Sequence, residues 1–151
     1  MAGQPQAVLV VIKASWCGAC KAFTSEVWPI VEKEIKNKKF PIRIEIDEDG
    51  KNKNVRPVYR TIFGSVPNFH VISAKSWESG ELTGIVSRLG FADPGTPQGA
   101  TKQDIAKAFL QWVYGAYQNA LNPPPPVAPS EAPKEVIPDV CSRKMRSRNW
   151  R

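Results

Sequence analysis

The spacing of apolar residues changes early in the chain. Residues 8–12 form an uninterrupted aliphatic run, which is typical of a strand covered on both faces. From residue 18 to residue 37 the apolar positions recur at helical spacing, with lysines and glutamates between them: Phe23, Val27, Ile30, Val31 and Ile35. This spacing predicts an amphipathic helix. Because proline lacks an amide hydrogen, Pro29 is expected to kink or divide that helix.

A second strand is predicted where isoleucine alternates with charged residues. Ile42, Ile44 and Ile46 share one face of this strand, and the period of two indicates that its other face is less protected. We therefore expect the strand at or near the edge of a sheet. The polar segment 47–54 is predicted to be a loop, and residues 55–63 a short helical turn.

The second half of the domain is predicted to contain a hairpin and a long helix. Residues 68–73 and 81–88 have the pattern of two antiparallel strands joined by a turn. Thr101 and Asp104 have the spacing of a capping box, whose side chains bond free amides at a helix start. The helix is predicted to run to about residue 118, with one apolar face: Ile105, Ala108, Phe109, Trp112, Val113 and Ala116. The order β-α-β-(α)-β-β-α indicates an α/β domain.

The composition supports one domain and a separate C-terminal region. The chain has 151 residues, of which 42% are hydrophobic, enough for a single core. Because prolines concentrate after residue 121, we divide the chain into a globular domain (1–121), a proline-rich arm (122–138) and a basic tail (139–151). The net charge of +7 is densest in the C-terminal part. The Gly- and Pro-rich loop 89–100 is a candidate contact surface.

Targeting segments are not recognisable in the pattern. The first apolar run ends at Lys13, far short of the roughly 18 residues that span a bilayer. It lacks the basic leader and cleavage site of a secretion signal, and the last three residues are not a retention signal. The expected compartment is therefore a reducing one such as the cytoplasm. That compartment favours a catalytic or metal-binding use of paired cysteines over structural disulfides.

The most specific motif is the pair Cys17 and Cys20, which lies between the first strand and the first helix. A thiol at the start of a helix has a lowered pKa, and a second thiol three positions later lies within disulfide reach. The pair is therefore predicted to be a thiol redox switch. The alternatives are a redox-inactive relic of the fold and half of a zinc site, for which only Cys141 and His70 remain as further ligands.

Three segments of the chain resemble the thioredoxin-like family, over roughly residues 7–120. They are the strand followed by Trp16-Cys17-Gly18-Ala19-Cys20-Lys21, the isoleucine-rich strand that ends at Asp47, and residues 59–67 before the next strand. The resemblance implies a four-stranded mixed sheet flanked by helices, to which this chain adds a proline-rich extension. It also implies a cis bond between Val66 and Pro67. A proline that opens a strand leaves room for the backbone of an extended substrate to pair beside the thiols.

The resemblance also implies roles for the site residues. Cys17 is the attacking thiolate, and Cys20 is the more buried thiol that resolves the mixed disulfide between Cys17 and a substrate. The residues expected to contact the substrate surround the two thiols: Trp16, Gly18, Ala19, Val66 and Pro67. The implied partners are protein disulfides and a reductase or small-thiol electron donor. No cofactor or metal is expected.

The motif departs from the family at several positions. The Gly18-Ala19 pair is most similar to that of single-domain thioredoxin-like proteins of the endoplasmic reticulum, whose targeting signals are not recognised here. Val11 stands where family members often carry a buried carboxylate, and Asn68 stands where a threonine usually follows the proline. The family's first strand and helix are expected to be missing, which would leave the strand around Ile44 at the edge of the sheet.

Three further features allow more than one interpretation. His70 is expected to be a strand residue rather than a catalyst. Cys141 is interpreted as an inert thiol, a cysteine that links a partner, or a second resolving cysteine. The acidic turn 47–50 resembles a calcium loop, but Lys51 and Lys53 follow it, so a solvated turn is expected.

The C-terminal region is expected to be held by a partner. Its prolines favour polyproline II, which at ~3.1 Å per residue reaches on the order of 50 Å. We expect a protein partner to order residues 122–151. The basic side chains of the tail suit a nucleic acid or an acidic surface: Arg143, Lys144, Arg146, Arg148 and Arg151.

Two functions are therefore predicted. The first is a thiol-disulfide oxidoreductase that acts through Cys17 and Cys20 on protein disulfides. The alternative is a non-catalytic structural or adaptor protein, held in a large assembly such as a virus particle by its arm and tail. An open surface around Cys17 favours the enzyme, whereas a Cys17 that a permanent partner seals favours the adaptor.

Overall fold

The computed structural model describes residues 4–91, 100–122 and 141–142. Six strands lie in these residues: β1 (Ala7–Lys13), β2 (Ile42–Glu48), β3 (Ser65–Val66), β4 (Asn68–Ser73), β5 (Ile85–Leu89) and β6 (Cys141–Ser142). Four of them form one sheet in the order β2-β1-β4-β5, and β3 pairs with β6. β1 is parallel to β2 and antiparallel to β4, and β4 is antiparallel to β5. The predicted α/β class with a mixed four-stranded sheet is confirmed, and the fold is thioredoxin-like.

The long helical region after β1 is divided as Pro29 led us to expect. It consists of α1 (Gly18–Ala22), a π-helical turn (Phe23–Val27) and α2 (Trp28–Asn37). Pro29 lies in the first turn of α2, where a missing amide hydrogen is tolerated, and the wider turn just before it shifts the hydrogen-bond register. The Trp28 N–H accordingly bonds to the carbonyl oxygen of Phe23.

The last helix, α5 (Lys102–Leu121), begins at the predicted capping box. The Thr101 hydroxyl accepts the Asp104 N–H at 3.1 Å, and the Asp104 carboxylate accepts the Thr101 N–H at 3.2 Å. The helix continues to Leu121, slightly beyond the predicted end, because its last turn still buries Ala120. α5 packs beside α2 on one face of the sheet.

The sheet has two buried faces. The helix face is the apolar core beneath α2 and α5, and it centres on Phe23, whose ring lies 4.9 to 5.8 Å from four other aromatic rings. The thiol face is the opposite side, and its core contains Cys17 and Cys20 with residues of β1 and β4. Two short helices complete the described elements: α3 (Pro57–Arg60) comes after β2, and α4 (Ala74–Ser79) comes directly after β4.

The hairpin prediction is correct in its pairing and wrong in its connection. β4 and β5 are antiparallel, but α4 lies between them and β5 begins at Ile85 rather than at residue 81. The Ser73 hydroxyl caps α4 by accepting the Ser76 N–H at 3.2 Å. Gly80 then ends the helix in the left-handed conformation, which glycine adopts without strain.

Several predictions fall partly outside the described residues. β2 lies at the edge of the sheet, as predicted, and Ile46 on it is exposed. The loop 89–100 is described only at its ends. Most of the arm and all five tail cations lie in segments 123–140 and 143–151, outside the described residues. Among the helices that are described, none is both long and apolar enough to cross a membrane.

Candidate functional site

Cys17 lies between the end of β1 and the start of α1, as predicted. It is the N-cap residue of α1, and its sulfur accepts the backbone N–H of Cys20 at 3.4 Å. Its own N–H bonds to the carbonyl oxygen of Ala14 at 3.2 Å, which closes the turn between strand and helix. A backbone donor aimed at the sulfur stabilises a thiolate at this position.

The segment before β4 lies against this turn. The Val66–Pro67 bond is cis, as predicted, and both residues are buried. The carbonyl oxygen of Val66 lies 3.6 Å from the sulfur of Cys17. Trp16 and Ala19 are half-buried against the same core. The predicted substrate residues thus surround the thiol, and their contact with a substrate stays a prediction.

Gly18 lies directly after Cys17 in the turn between strand and helix, a place where glycine is often needed for backbone geometry. The residue is exposed, its φ is not positive, and a Cβ built on it meets no atom within 4 Å. The turn therefore accepts a side chain at this position. Only access of a substrate to Cys17 remains as a reason for glycine.

Cys17 forms a disulfide with Cys141 of the C-terminal region, and their Cα atoms are 5.9 Å apart. β6, which contains Cys141, pairs antiparallel with β3, so that Cys141 lies opposite Val66 and Ser142 lies opposite Ser65. The interpretation of Cys141 as an inert free thiol is therefore wrong. The sequence signal that could have indicated this contact is a third cysteine on an arm long enough to reach the motif.

Cys20 is a free thiol and is buried. Burial raises the pKa of this thiol, and the more distant carboxylates of Glu48 and Asp49 raise it further. A backbone hydrogen bond from Ala14 and the positive charge of Lys13 act in the opposite direction but do not outweigh burial. Both motif cysteines are buried in this disulfide-bonded state, with 0% of Cys17 and 2% of Cys20 exposed, so the expectation that Cys20 is the more buried thiol of the reduced pair stays a prediction.

The side chain of Lys13 lies close to the motif, where its positive charge acts on Cys20. The ammonium of Lys13 donates to the Thr24 hydroxyl at 3.2 Å and lies 3.7 Å from a Glu48 oxygen. The Thr24 hydroxyl in turn donates to the carbonyl oxygen of Cys20 at 2.9 Å. Val11 is buried in the helix-face core, on the other side of β1. The proton of Cys20 is therefore not paired with a carboxylate at that position.

A buried chain of polar groups, which the sequence pattern did not indicate, connects β5 through β4 to β3. His70 is fully buried, with Nδ1 2.7 Å from the Ser87 hydroxyl and Nε2 2.7 Å from the Asn68 side-chain oxygen. Because that amide oxygen only accepts, Nε2 carries the proton and Nδ1 accepts from Ser87. The Asn68 amide then donates to the carbonyl oxygen of Ser65 at 2.8 Å. His70 is thus a strand residue, as expected, and it orients the strand that pairs with Cys141.

Burial also sets the protonation state of His70. It lowers the pKa of the imidazole to about 4, because no charged partner compensates for the lost hydration. The ring is therefore neutral at pH 7. Phe63 stacks on it with ring centroids 5.9 Å apart.

The acidic segment at the end of β2 serves the fold. Asp47 is fully buried; one carboxylate oxygen accepts the Asn52 N–H at 2.8 Å and the other lies 3.3 Å from Nε of Arg60. Asp49 accepts the Ser15 N–H at 2.9 Å and so holds the turn before Cys17. The residues of the calcium-like turn therefore bond to the protein itself. Within residues 4–91, 100–122 and 141–142, no cluster of three His, Cys, Asp or Glu side chains could hold a metal ion.

This chain has a distant similarity to a solved structure. A search of solved structures finds the first thioredoxin domain of mouse protein disulfide-isomerase A4, with a TM-score of 0.45 and 18% sequence identity. The match covers 87% of this chain and 76% of that one. The chain matches no protein-family model and no curated protein. The geometry of the site therefore carries the functional conclusion.

Proposed function

We propose that the protein is a thiol-disulfide oxidoreductase that acts through Cys17 and Cys20 on cysteines in extended peptide segments. The observation that carries this proposal is the bond between Cys17 and Cys141. A cysteine on a short extended segment is bonded to the motif while its backbone pairs with Ser65–Val66. This is the arrangement that a mixed disulfide with a peptide substrate requires.

The first step is attack by the thiolate of Cys17. It forms a bond to one sulfur of a substrate disulfide, and the second substrate sulfur leaves as a thiolate and takes up a proton. The Cys20 N–H stabilises the attacking thiolate through its hydrogen bond to the Cys17 sulfur. The Val66 carbonyl oxygen, which lies 3.6 Å from the Cys17 sulfur in the bonded state, can accept the thiol proton before attack.

The second step is attack by Cys20 on the sulfur of Cys17. A Cys17–Cys20 disulfide forms, and the substrate leaves with both of its sulfurs reduced. Because burial raises the pKa of Cys20, only a small fraction of this thiol is ionised at pH 7. Resolution should therefore be slower than the first attack, and it should accelerate as the pH rises. A reductase or a small thiol then restores the dithiol, as expected in a reducing compartment such as the cytoplasm.

The substrate platform follows from the same geometry. Pairing with Val66 fixes the backbone of the peptide, and Pro67 leaves no competing donor beside it. Trp16 and Ala19 lie at the rim and contact side chains of the peptide. Gly18 is exposed next to Cys17 and leaves the approach open.

The proposal is tested with a disulfide-linked peptide that carries a fluorophore and a quencher, with dithiothreitol as electron donor. All variants carry Cys141→Ser, so that the C-terminal cysteine does not take part. We expect turnover in this background and only the uncatalysed rate of dithiothreitol itself after Cys17→Ser. After Cys20→Ser, in protein that is reduced and then freed of dithiothreitol, we expect one trapped peptide adduct per chain. Equal rates with Cys17 present and absent would contradict the proposal.

A non-catalytic structural or adaptor function is the second candidate. The observation that favours it is the complete burial of Cys17, which in this state is closed by the C-terminal region. In that function the Cys17–Cys141 bond is a permanent link that holds the arm and tail on the domain. The folded wild-type protein would then resist reduction by dithiothreitol, and the Cys141→Ser background would show no turnover.

A further inference from the structure

The bond between Cys17 and Cys141 raises the question of what Cys141 does in a protein whose motif already contains a second cysteine. Cys141 is held by more than the disulfide. Its strand pairs with β3, and the Asn68 amide bonds the carbonyl oxygen of Ser65 on that same strand. The half-buried Cys141 packs against the core of the thiol face. The domain therefore presents a formed docking edge to the segment around Cys141.

We propose that Cys141 is a tethered substrate cysteine, which occupies the peptide-docking edge and closes Cys17 in a mixed disulfide that Cys20 opens. The proposal rests on the proposed oxidoreductase function and adds its regulation. The closed form protects Cys17 from other thiols and disulfides. The open form exposes the motif to an external peptide.

The positions of the two competing cysteines support this assignment. Cys141 reaches the sulfur of Cys17 from the β3 edge, where an external peptide is expected to pair. Cys20 lies on the first turn of α1, and its N–H already bonds to the same sulfur. The cysteine that shares the substrate's place is Cys141, and the cysteine that remains beneath the motif as a free thiol is Cys20.

Opening needs no oxidant or reductant. The Cys20 thiol loses its proton to solvent and attacks the sulfur of Cys17; a Cys17–Cys20 bond forms as the Cys17–Cys141 bond breaks, and Cys141 leaves as a thiolate that takes up a proton. Both forms contain one disulfide and one thiol, so they are isomers at the same oxidation level. Closing is the reverse step, with Cys141 attacking Cys17.

The arm sets the strength of the competition. Eighteen residues, 123–140, join Asn122 to Cys141 in the sequence. A tethered group of this kind acts at an effective concentration in the millimolar range when its linker can span the distance. An external peptide at micromolar concentration therefore competes poorly with Cys141 until Cys20 or an external thiol has opened the site.

The tether predicts a specific behaviour of the usual trapping variant. In Cys20→Ser, a mixed disulfide between Cys17 and an external peptide still contains a nearby thiol on Cys141. That thiol attacks Cys17, expels the peptide and leaves the Cys17–Cys141 bond. Cys20→Ser alone should therefore lose its adduct, whereas Cys20→Ser with Cys141→Ser should keep it.

The first experiment maps the disulfides of the full chain after equilibration in oxidised and reduced dithiothreitol, acid quenching and alkylation. Trypsin separates peptide 14–21, which contains both motif cysteines, from peptide 135–143, which contains Cys141. We expect the linked pair in Cys20→Ser, where only Cys17 can supply the bond. Its absence in Cys20→Ser, or its equal yield in Cys17→Ser, would overturn the proposal.

The second experiment measures capture of a fluorescent peptide disulfide by the reduced variants. Adduct should persist at least about tenfold longer in Cys20→Ser with Cys141→Ser than in Cys20→Ser alone, given the millimolar tether. The control is Ser142→Ala in the Cys20→Ser background, which retains Cys141 and should still lose the adduct. Equal lifetimes with and without Cys141 would overturn the tethered role while leaving the oxidoreductase function intact. Failure of both variants to form any adduct would instead contradict the oxidoreductase function, and with it the tethered role.

Discussion

The two faces of the sheet are both buried, but they bury different chemistry. The helix face contains aliphatic and aromatic side chains packed around Phe23. The thiol face contains two cysteines and is bordered by buried polar residues such as Asp47, Asn68 and His70. Each of these polar residues has a partner within the protein. The comparison indicates that one face stabilises the fold, while the other holds polar groups in fixed positions around Cys17.

The difference has an energetic reason. A buried polar group that lacks a hydrogen bond costs on the order of 1–3 kcal/mol, so a core accepts one only where a partner is provided. On the thiol face the partners form a chain from Ser87 through His70 and Asn68 to Ser65. That chain ends on the strand that pairs with Cys141. Variants on the two faces should therefore differ in kind as well as in size.

The largest expected effect is on the helix face. Phe23→Ala removes a buried ring that contacts four others, and it should lower the free energy of unfolding by about 3–5 kcal/mol. Urea denaturation measures this change, with Leu82→Ala as the exposed control, expected within about 0.5 kcal/mol of wild type. The fraction of Phe23→Ala that remains folded should still form the Cys17–Cys141 bond. Loss of that bond at equal folded fraction would show that the faces are not separable.

The next effect is a dependence of stability on pH that arises from the thiol face. The pKa of His70 is about 4 in the folded protein and about 6.5 when unfolded, so the unfolded chain binds the proton first as the pH falls. Stability is complete above pH 6.5 and decreases between pH 6.5 and about 4, by about 3 kcal/mol in total. Urea titrations at successive pH values measure it.

The chain contains a single histidine, which makes the assignment direct. His70→Gln keeps hydrogen-bonding groups but does not titrate, so its stability should be nearly constant from pH 6.5 to 5. Glu45 changes the stability in a lower pH range than His70 does. Burial opposes the charge of Glu45, but hydrogen bonds from Asn52, Arg43 and Asn54 outweigh burial and lower its pKa, so its stabilisation is lost only as the pH falls below the usual range of a glutamate. Parallel curves for wild type and His70→Gln above pH 5 would contradict the role assigned to His70.

A smaller effect is expected from Asn68→Ala, which leaves the Ser65 carbonyl and the His70 Nε2 proton without their partner. The expected loss is about 1–3 kcal/mol, and exposed Asn37→Ala is the matched control. Because Asn68 supports β3, the variant should also open the Cys17–Cys141 bond at a less reducing dithiothreitol ratio. Alkylation and mass spectrometry across a redox titration measure the opening. An unchanged titration would show that the polar chain does not support the pairing of β3 with the segment around Cys141.

The smallest expected effect is at Gly18. Its backbone is compatible with alanine and its Cβ direction is open, so Gly18→Ala should stabilise the fold by about 0.4–1 kcal/mol. Any decrease in the rate of peptide exchange would then report on access of the substrate rather than on folding. Thermal unfolding and the fluorescent peptide assay separate the two. Destabilisation by Gly18→Ala would contradict the view that the turn does not need glycine.

The pattern of apolar residues predicted most of the fold because each prediction depended on local spacing. The aliphatic run of β1, the divided helix at Pro29 and the capping box at Thr101 are properties of short segments. The sequence pattern did not predict α4, because this helix has only six residues and therefore no apolar periodicity. Its only local signals are the cap at Ser73 and the glycine that ends it, Gly80. Local chemistry thus indicated the elements better than their exact connections.

The sequence by itself determined the class of chemistry. Two cysteines at a strand-to-helix turn and a proline before a later strand indicate a thiol site, because each of these features is a short motif that can be recognised from neighbouring residues alone. Tertiary structure decided which sulfur Cys17 bonds, what covers it and what supports β3. These depend on contacts between residues as far apart as Cys17 and Cys141, 124 positions in the sequence, and only the folded chain brings such residues together.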